Sequence, residues 1–213
     1  MSTETDLLTA YRHLAAQYDA NRDQFDISAL LDRLQSRLPA RGDLLDLGCG
    51  AGVPVARTFL DKGWNVVGVD FCPEMLTLAA EQVPAMRAVC SDMRGLELAP
   101  GSVDAVTCIY SLFHVPWREH GALFQRIACW LRPNGRLFFT YATADYTGEP
   151  EFDGWIDFMA ERLFYSHGTP ARLREQLTAA GFEIESEETP EIGGERFLWV
   201  TAKVSEHHGE ETV

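Results

Sequence analysis

The chain has 213 residues, of which 46% are hydrophobic and 23% charged, a composition typical of one ordinary globular domain. Its formal net charge is −14, and residues 141–213 hold 16 acidic residues against five basic ones. Because an acidic surface repels phosphate backbones and anionic membranes, we expect neither nucleic acid nor membrane as a partner. The acidity indicates either a solvated face or a field that favours neutral or cationic ligands.

The sequence also predicts a cytoplasmic protein. No run approaches the roughly 18 apolar residues of a membrane span, and the first residues do not have the pattern of a secretion signal. Five cysteines are widely spaced, without the spacing of a zinc site, so we expect reduced thiols and no metal.

The N-terminal part, residues 1–40, is predicted to form a helical cap from helices over 6–20 and 27–38. After it, apolar runs alternate with helical periods. The predicted elements are, in chain order, strand 44–47, helix 53–62, strand 65–69, helix 73–83, strand 85–90, strand 103–110, helix 117–131 and strand 136–142.

The alternation is interrupted after residue 142. Residues 143–168 are rich in aromatics and have no clean strand, so we expect an insertion that acts as a lid. A helix over 170–180 and two strands over 182–189 and 196–203 follow, with a hairpin signal at Ile192-Gly-Gly-Glu195. The last residues, 205–213, are expected to be a disordered tail.

These elements predict a single α/β domain over 1–213. Strands with nearly continuous apolar residues, joined by helices, are typical of a parallel sheet that is covered on both faces. We expect a Rossmann-like, doubly wound sheet, mostly parallel, with an antiparallel strand from the C-terminal hairpin.

A glycine-rich turn, Asp46-Leu-Gly48-Cys-Gly50-Ala-Gly52, lies between the first predicted strand and the next helix. Glycines at this spacing allow a sharp turn and bring a ligand close to the backbone. Asp70 ends the second strand, where a carboxylate can accept hydrogen bonds from both hydroxyls of a ribose. Asp46 would repel a pyrophosphate but suits a cationic ligand, so the turn favours a cofactor other than a nicotinamide dinucleotide.

At these residues the chain resembles the class I S-adenosylmethionine-dependent methyltransferases. The resemblance implies that Asp46, Gly48, Gly50 and Gly52 hold the methionine part of the cofactor, and that Asp70 holds the ribose. It further implies roles near the adenine for Phe71 and for Asp92-Met93, roles beside the sulfonium for Tyr110-Ser111, and closure over the cofactor by Tyr18. Leu131-Arg-Pro-Asn134-Gly135 departs slightly from the family's L-R-P-G-G turn.

Taken singly, these residues also have ordinary structural explanations. Asp70 could cap the following helix, Asp92 could be a solvated turn residue, and Phe71 and Met93 could be core residues. Their occurrence together, in the family's order and spacing, favours the cofactor site.

The N-terminal cap and residues 143–168 can cover the crevice beyond the strands' carboxyl ends, where a substrate is expected. Side chains of these segments are candidate substrate contacts, with helix packing or a small satellite core as the alternative. The candidates are Tyr11, Trp155, Tyr165 and His167.

His114 is the candidate for chemistry, because it follows the fourth strand closely and an imidazole can accept a substrate proton at neutral pH. A structural role for this histidine is the alternative. The resemblance implies transfer of a methyl group, by in-line displacement and without a metal, to a nitrogen or oxygen of a small, planar or apolar metabolite.

Two other functions are compatible with the sequence. One is a different chemistry on the same cofactor, and the other is a non-catalytic partner subunit that binds it. Monomer and homodimer are equally compatible with the sequence.

Overall fold

The computed structural model describes residues 3–18 and 25–205, and the side chains of 6–15 and 25–205. The helices are α1 Thr3–Tyr18, α2 Ser28–Gln35, α3 Val55–Asp61, α4 Pro73–Gln82, α5 Trp117–Trp130, α6 Ala144–Thr147 and α7 Pro170–Ala179. The strands are β1 Asp43–Leu47, β2 Asn65–Asp70, β3 Arg87–Cys90, β4 Val103–Cys108, β5 Leu131–Tyr141, β6 Phe152–Phe158, β7 Glu161–His167, β8 Phe182–Glu188, β9 Glu191–Ile192, β10 Glu195–Arg196 and β11 Leu198–Val204.

Seven strands form the central sheet in the order β3-β2-β1-β4-β5-β11-β8. The first five pair in parallel, and β11 is antiparallel to both of its neighbours. Parallel neighbours need a crossover, which α3, α4 and α5 provide. The predicted Rossmann-like sheet with an antiparallel strand from the C-terminal hairpin is confirmed.

Each face of the sheet carries its own core. Residues of α1, α2, α3 and the β6–β7 hairpin pack together on one face, around side chains such as Leu31 and Phe59. Residues of α5 and α7 pack on the other, around Leu123 and Leu173. Coverage of both faces explains why β1 and β4 are almost entirely buried.

Most predicted bounds differ from the observed ones by a few residues. The largest difference is at β5, whose range includes the predicted turn 132–135. These residues bulge out of the pairing, since Val103 pairs with Leu131 while Ala105 already pairs with Arg136. Asn134 has a φ of 65°, so a turn conformation does occur inside the range assigned to β5.

The prediction that residues 143–168 lack a clean strand is wrong, because β6 and β7 pair along their whole length as an antiparallel hairpin. Phe158 pairs with Glu161, and the turn between them consists of Met159 and Ala160, with φ of 48° and 68°. Two-residue turns with positive φ are usually made by Asn or Gly. Methionine and alanine carry no such signal, so the hairpin was missed.

The predicted hairpin signal at Ile192–Glu195 forms a smaller hairpin, β9–β10, beyond the paired strands β8 and β11. Of the predicted tail, residues 206–213 lie outside the described residues. Within the described part of the chain, no helix has the length and apolar character to cross a membrane.

Gly68, in the middle of β2, lets the glycine turn pack onto the sheet. A Cβ at this position would lie 2.5 Å from Met86 Sδ and 2.8 Å from Cys49 Sγ. We expect Gly68→Ala to lower the free energy of unfolding by about 1–3 kcal/mol, because a well-packed core accommodates an added methyl only by strain.

Gly95→Ala is the matched control, since a Cβ there has no heavy atom within 4 Å. We expect it to change the free energy of unfolding by no more than about 0.5 kcal/mol. Urea unfolding of both variants measures the difference. Equal stability of the two variants would contradict the packing described here.

Candidate functional site

Two adjoining cavities open at the carboxyl ends of the parallel strands. The larger cavity has a volume of about 650 Å³ and the smaller one of about 480 Å³. This is the edge at which open α/β sheets bind ligands. Six residues line both cavities, namely Tyr11, Gly48, Gly50, Ile109, Tyr110 and His114.

The glycine turn forms part of the common wall. Gly48 and Gly50 have φ of 69° and 52°, a conformation that a residue with a side chain adopts only with strain. A Cβ on Gly48 would lie 2.3 Å from Ser111 Cβ, whereas one on Gly50 would meet nothing within 4 Å. The predicted third glycine, Gly52, lies outside both walls and packs near Val83.

Two buried carboxylates end β1 and β2. Asp46 lines the smaller cavity and accepts a hydrogen bond of 2.7 Å from Thr107 Oγ1. Asp70 lines the larger one and accepts 2.9 Å bonds from the N–H groups of Gly50 and Cys72. Burial raises the pKa of both, that of Asp46 to about 7 with a contribution from the negative charge of Asp70. A cationic ligand would stabilise their ionised forms.

The predicted adenine-side residues all line the larger cavity, including Phe71, Asp92 and Met93. Asp92 accepts hydrogen bonds from the backbone N–H and the guanidinium of Arg94, the closest at 2.6 Å. Burial acts to raise the pKa of Asp92, but the hydrogen bonds and charge of Arg94 hold it below its ordinary value. Asp92 is therefore an ionised acceptor at this wall.

Tyr110 and Ser111 follow β4 at the junction of the cavities. Tyr110 has a φ of 53°, and its backbone N–H donates a 2.6 Å hydrogen bond to Thr140 Oγ1. Ser111 Oγ donates to the carbonyl of Leu47 at 2.8 Å, which ties this loop to the end of β1. The strained turn is thus fixed from both neighbouring strands.

Aromatic rings form much of the smaller cavity. The rings of Phe113 and Tyr165 stack with centroids 4.6 Å apart, and Phe113 also stacks on Phe197 at 5.2 Å. Tyr146 packs behind them, with its ring 5.3 Å from Tyr165 and 4.5 Å from Phe197. A planar or apolar molecule matches such a wall.

His114 lies between two hydrogen-bond partners. Its Nδ1 is 2.6 Å from the carbonyl oxygen of Phe164, and its Nε2 is 2.6 Å from Tyr11 Oη. A carbonyl can only accept, so the proton of the neutral ring resides on Nδ1, and Nε2 accepts from Tyr11. Burial lowers the pKa of His114 to about 4, although the Phe164 carbonyl partly opposes this. The imidazole is neutral at physiological pH.

Only some of the other predicted substrate residues line a cavity. Tyr165 lines the smaller cavity, but Trp155 and His167 lie outside both walls. Trp155 packs edge-on against Phe164, and His167 Nε2 is 2.8 Å from Thr147 Oγ1. The side chain of Tyr18 lies outside the described residues.

Sequence reasoning missed several wall residues, which are Arg94, Phe113, Glu195 and Phe197. Arg94 and Phe113 carried a usable signal, because they are adjacent to the predicted residues Met93 and His114. Glu195 and Phe197 reach the site from the C-terminal hairpin, which the sequence does not connect with this edge of the sheet. Among the residues with described side chains, no group of three or more His, Cys, Asp or Glu could hold a metal ion.

Known proteins with similar sequences are methyltransferases. The family described as "Methyltransferase domain" matches residues 18–187. Trans-aconitate 2-methyltransferase of Enterobacter sp. (strain 638) is 32% identical over 200 residues, covering 91% of this chain and 73% of that protein. Malonyl-[acyl-carrier protein] O-methyltransferase of Enterobacter lignolyticus is 34% identical over 139 residues, covering 64% of this chain and 53% of that protein. The chain therefore spans between about half and three quarters of the length of these two relatives.

Solved structures share the fold. An S-adenosylmethionine-dependent methyltransferase from Mesorhizobium loti has a TM-score of 0.68 at 23% identity, covering 84% of this chain and 99% of that chain. The 1,6-didemethyltoxoflavin-N1-methyltransferase of Burkholderia thailandensis, with bound 1,6-didemethyltoxoflavin and S-adenosylhomocysteine, has a TM-score of 0.68 at 24% identity, covering 95% and 89%. By sequence match over most of its length, the chain belongs to the S-adenosylmethionine-dependent methyltransferase family.

Proposed function

We propose that this methyltransferase methylates a nitrogen or oxygen of a small, planar or apolar metabolite by in-line displacement, without a metal. S-adenosylmethionine is the cofactor, and its sulfonium supplies an already activated methyl group. The observation that carries the proposal is the pair of adjoining cavities, one with the cofactor residues of the family and one lined by aromatic rings.

The side chains present fit this cofactor. Its amino group and sulfonium are cationic, and two buried carboxylates lie at the cavities, Asp46 at the smaller one and Asp70 at the larger one. Gly50 leaves room for close approach of a ligand to the backbone. Phe71, with its ring 5.6 Å from that of Tyr11, offers an apolar surface for the adenine. Asp92 offers an acceptor for the adenine amino group.

The residues that line both cavities indicate where the methyl acceptor would bind. Tyr11, Tyr110 and His114 line both cavities, so a molecule in the smaller cavity would meet the cofactor there. Holding two reactants in line supplies much of the acceleration of a displacement reaction. Residues 143–168 would act as the substrate lid, since the β6–β7 hairpin brings Phe158, Leu163 and Tyr165 to this wall. Tyr18 remains a candidate for closing over the cofactor, whereas Trp155 and His167, expected to contact the substrate, lie outside both cavity walls.

The named acceptors of the relatives do not transfer directly to this chain. Trans-aconitate is a polycarboxylate, and the described residues place no lysine or arginine on the wall of the smaller cavity. That a neighbour with this fold holds 1,6-didemethyltoxoflavin together with S-adenosylhomocysteine supports a small-molecule acceptor.

The five free cysteines suit the reducing cytoplasm.

Tyr11 and His114 together would remove the acceptor's proton. The acceptor would give a proton to Tyr11 Oη while Tyr11 passes its own proton to His114 Nε2, 2.6 Å away. A pKa of about 4 makes His114 a weak base, so the transfer suits a late step, when attack has made the nucleophile cationic. This replaces direct contact between His114 and the acceptor, because Tyr11 already occupies Nε2.

The first prediction is that the protein binds S-adenosylhomocysteine and that Asp70→Asn weakens binding by about 1–3 kcal/mol, because the ribose hydroxyls lose a charged acceptor. Gly50→Val should abolish binding by filling the approach to the backbone. Calorimetry measures both. Asp153→Asn, at an exposed carboxylate paired with Arg118, is the control and should bind normally. A wild-type protein without measurable binding would overturn the proposed function.

The second prediction concerns pH. The cofactor's amino group pairs with ionised Asp46, whose pKa in the free protein is about 7. Affinity for S-adenosylhomocysteine should therefore fall by about tenfold from pH 8 to pH 6, as Asp46 takes up a proton. Asp46→Asn should bind more weakly at pH 8 and lose this dependence. If the affinity of Asp46→Asn still falls between pH 8 and pH 6, a group other than Asp46 is responsible for the pH dependence.

The third prediction is that Tyr11→Phe and His114→Ala each lower kcat by about 10²- to 10⁴-fold, the range for loss of a proton acceptor. Tyr11→Phe keeps the ring against Phe71 and removes only the hydroxyl, so affinity for S-adenosylhomocysteine should change little. Single-turnover methylation and calorimetry separate the two effects. Near-normal turnover in both variants would remove the pair from the mechanism and leave the methyltransferase assignment intact.

A further inference from the structure

The smaller cavity has a one-sided charge. Three carboxylates line it, those of Asp26, Asp46 and Glu195, and the described residues contribute no lysine or arginine to its wall. The histidine at this wall, His114, is neutral because burial lowers its pKa to about 4. The described side chains therefore make the potential inside the cavity negative, which attracts cations and repels anions.

Glu195 is the carboxylate on the acceptor's side. Asp46 belongs to the cofactor end of the cavity, and Asp26 is exposed beside α2. Glu195 is half-buried and accepts a hydrogen bond of 3.5 Å from Tyr146 Oη, which is its only polar partner among the described side chains. The neighbouring guanidinium of Arg196 lies 3.6 Å from Asp145 instead.

Among the described residues, no charge compensates that of Glu195. Burial raises its pKa above the ordinary value, and the Tyr146 hydroxyl offsets this only in part. None of the ion pairs among the described residues includes Glu195, so these residues leave its half-buried carboxylate without a paired cation. A charge that is taken out of water is usually paired with an opposite charge. The space beside the Glu195 carboxylate is the smaller cavity itself.

Aromatic rings complete the surroundings of Glu195. Phe197 lies two residues beyond Glu195, and its ring contacts those of Phe113, Tyr110 and Tyr146. The faces of aromatic rings attract cations and also bind apolar surface. A carboxylate set among such rings is suited to a positively charged or N–H-donating group on an apolar body.

We propose that the acceptor is an aromatic or apolar amine whose amino group pairs with Glu195, and that this carboxylate makes the cavity select against carboxylate-bearing molecules. The inference rests on the proposed function and deepens it. Glu195 is a specificity-determining residue in this proposal, and the amino group that it holds is distinct from the atom that receives the methyl group.

The test compares three 4-substituted phenols that differ in charge. Tyramine is cationic, 4-methylphenol is neutral and 4-hydroxyphenylacetate is anionic. Their binding to the full-length protein, saturated with S-adenosylhomocysteine at pH 8, is measured by ligand-observed NMR titration. We expect tyramine to bind at least about tenfold more tightly than 4-hydroxyphenylacetate, with 4-methylphenol between them.

Glu195→Gln should reduce this preference to about twofold or less, because the amide keeps the shape and removes the charge. Glu191→Gln, at an exposed carboxylate of β9 outside both cavities, should leave the preference unchanged. Affinity for S-adenosylhomocysteine should be the same in all three proteins, which shows that the variants are folded.

Equal or tighter binding of the anionic probe overturns the inference, and so does binding of none of the probes below about 10 mM, the weak limit of specific recognition. A preference that Glu195→Gln leaves unchanged overturns it as well. Failure of the proposed function has a different signature, namely that the wild-type protein does not bind S-adenosylhomocysteine. The two failures are therefore distinguishable in one set of measurements.

Discussion

The hydrogen bond from the Gly50 N–H to the Asp70 carboxylate, 2.9 Å long, is the contact on which the site depends. It joins the turn after β1 to the end of β2, and the second oxygen of Asp70 fixes the start of α4 through Cys72. A buried carboxylate is costly unless it is hydrogen-bonded, so Asp70 and the turn stabilise each other. Positive φ at Gly48 and Gly50 lets the backbone take this path.

The loop after β4 completes the same arrangement from the other side. Ser111 bonds to Leu47, and Tyr110 is held by Thr140 of β5, so the three adjacent strands β1, β4 and β5 fix its strained backbone. Strain of this kind persists only where the surroundings over-determine it, and such positions concentrate at functional sites. The side chain of Tyr110 lies between the two cavities.

The sheet and the cofactor side were predictable from sequence because their signals are local. Apolar strands alternate with helical periods, and the glycine turn and Asp70 are adjacent to the strands that position them. The acceptor side depends on contacts between distant segments, for which the sequence has no local pattern. Tyr11 and His114 are 103 residues apart, and Glu195 comes from a hairpin near the C-terminus.

The structure also changes the interpretation of several residues that the sequence indicates as candidates. His114 was expected to meet the acceptor directly, whereas Tyr11 occupies its Nε2. His167 lies on the same face of the β6–β7 hairpin as Tyr165 but further along the strand, where it contacts Thr147, whereas Trp155 and Tyr165 face opposite sides of the hairpin. In an antiparallel pair, alternate side chains face opposite sides, so only a register known in advance could have separated them.

The β6–β7 hairpin forms a two-stranded sheet of its own and has no backbone pairing with the central sheet. Its hydrogen bonds to the rest of the protein include one between the side chains of His13 and Glu161 and one from the His114 ring to the backbone carbonyl of Phe164. Because Asp46, Asp70 and Asp92 lie outside the hairpin, this unit can vary in sequence while the proposed cofactor site keeps its carboxylates. We therefore expect exchange of this segment between relatives to change the acceptor while the cofactor site is kept.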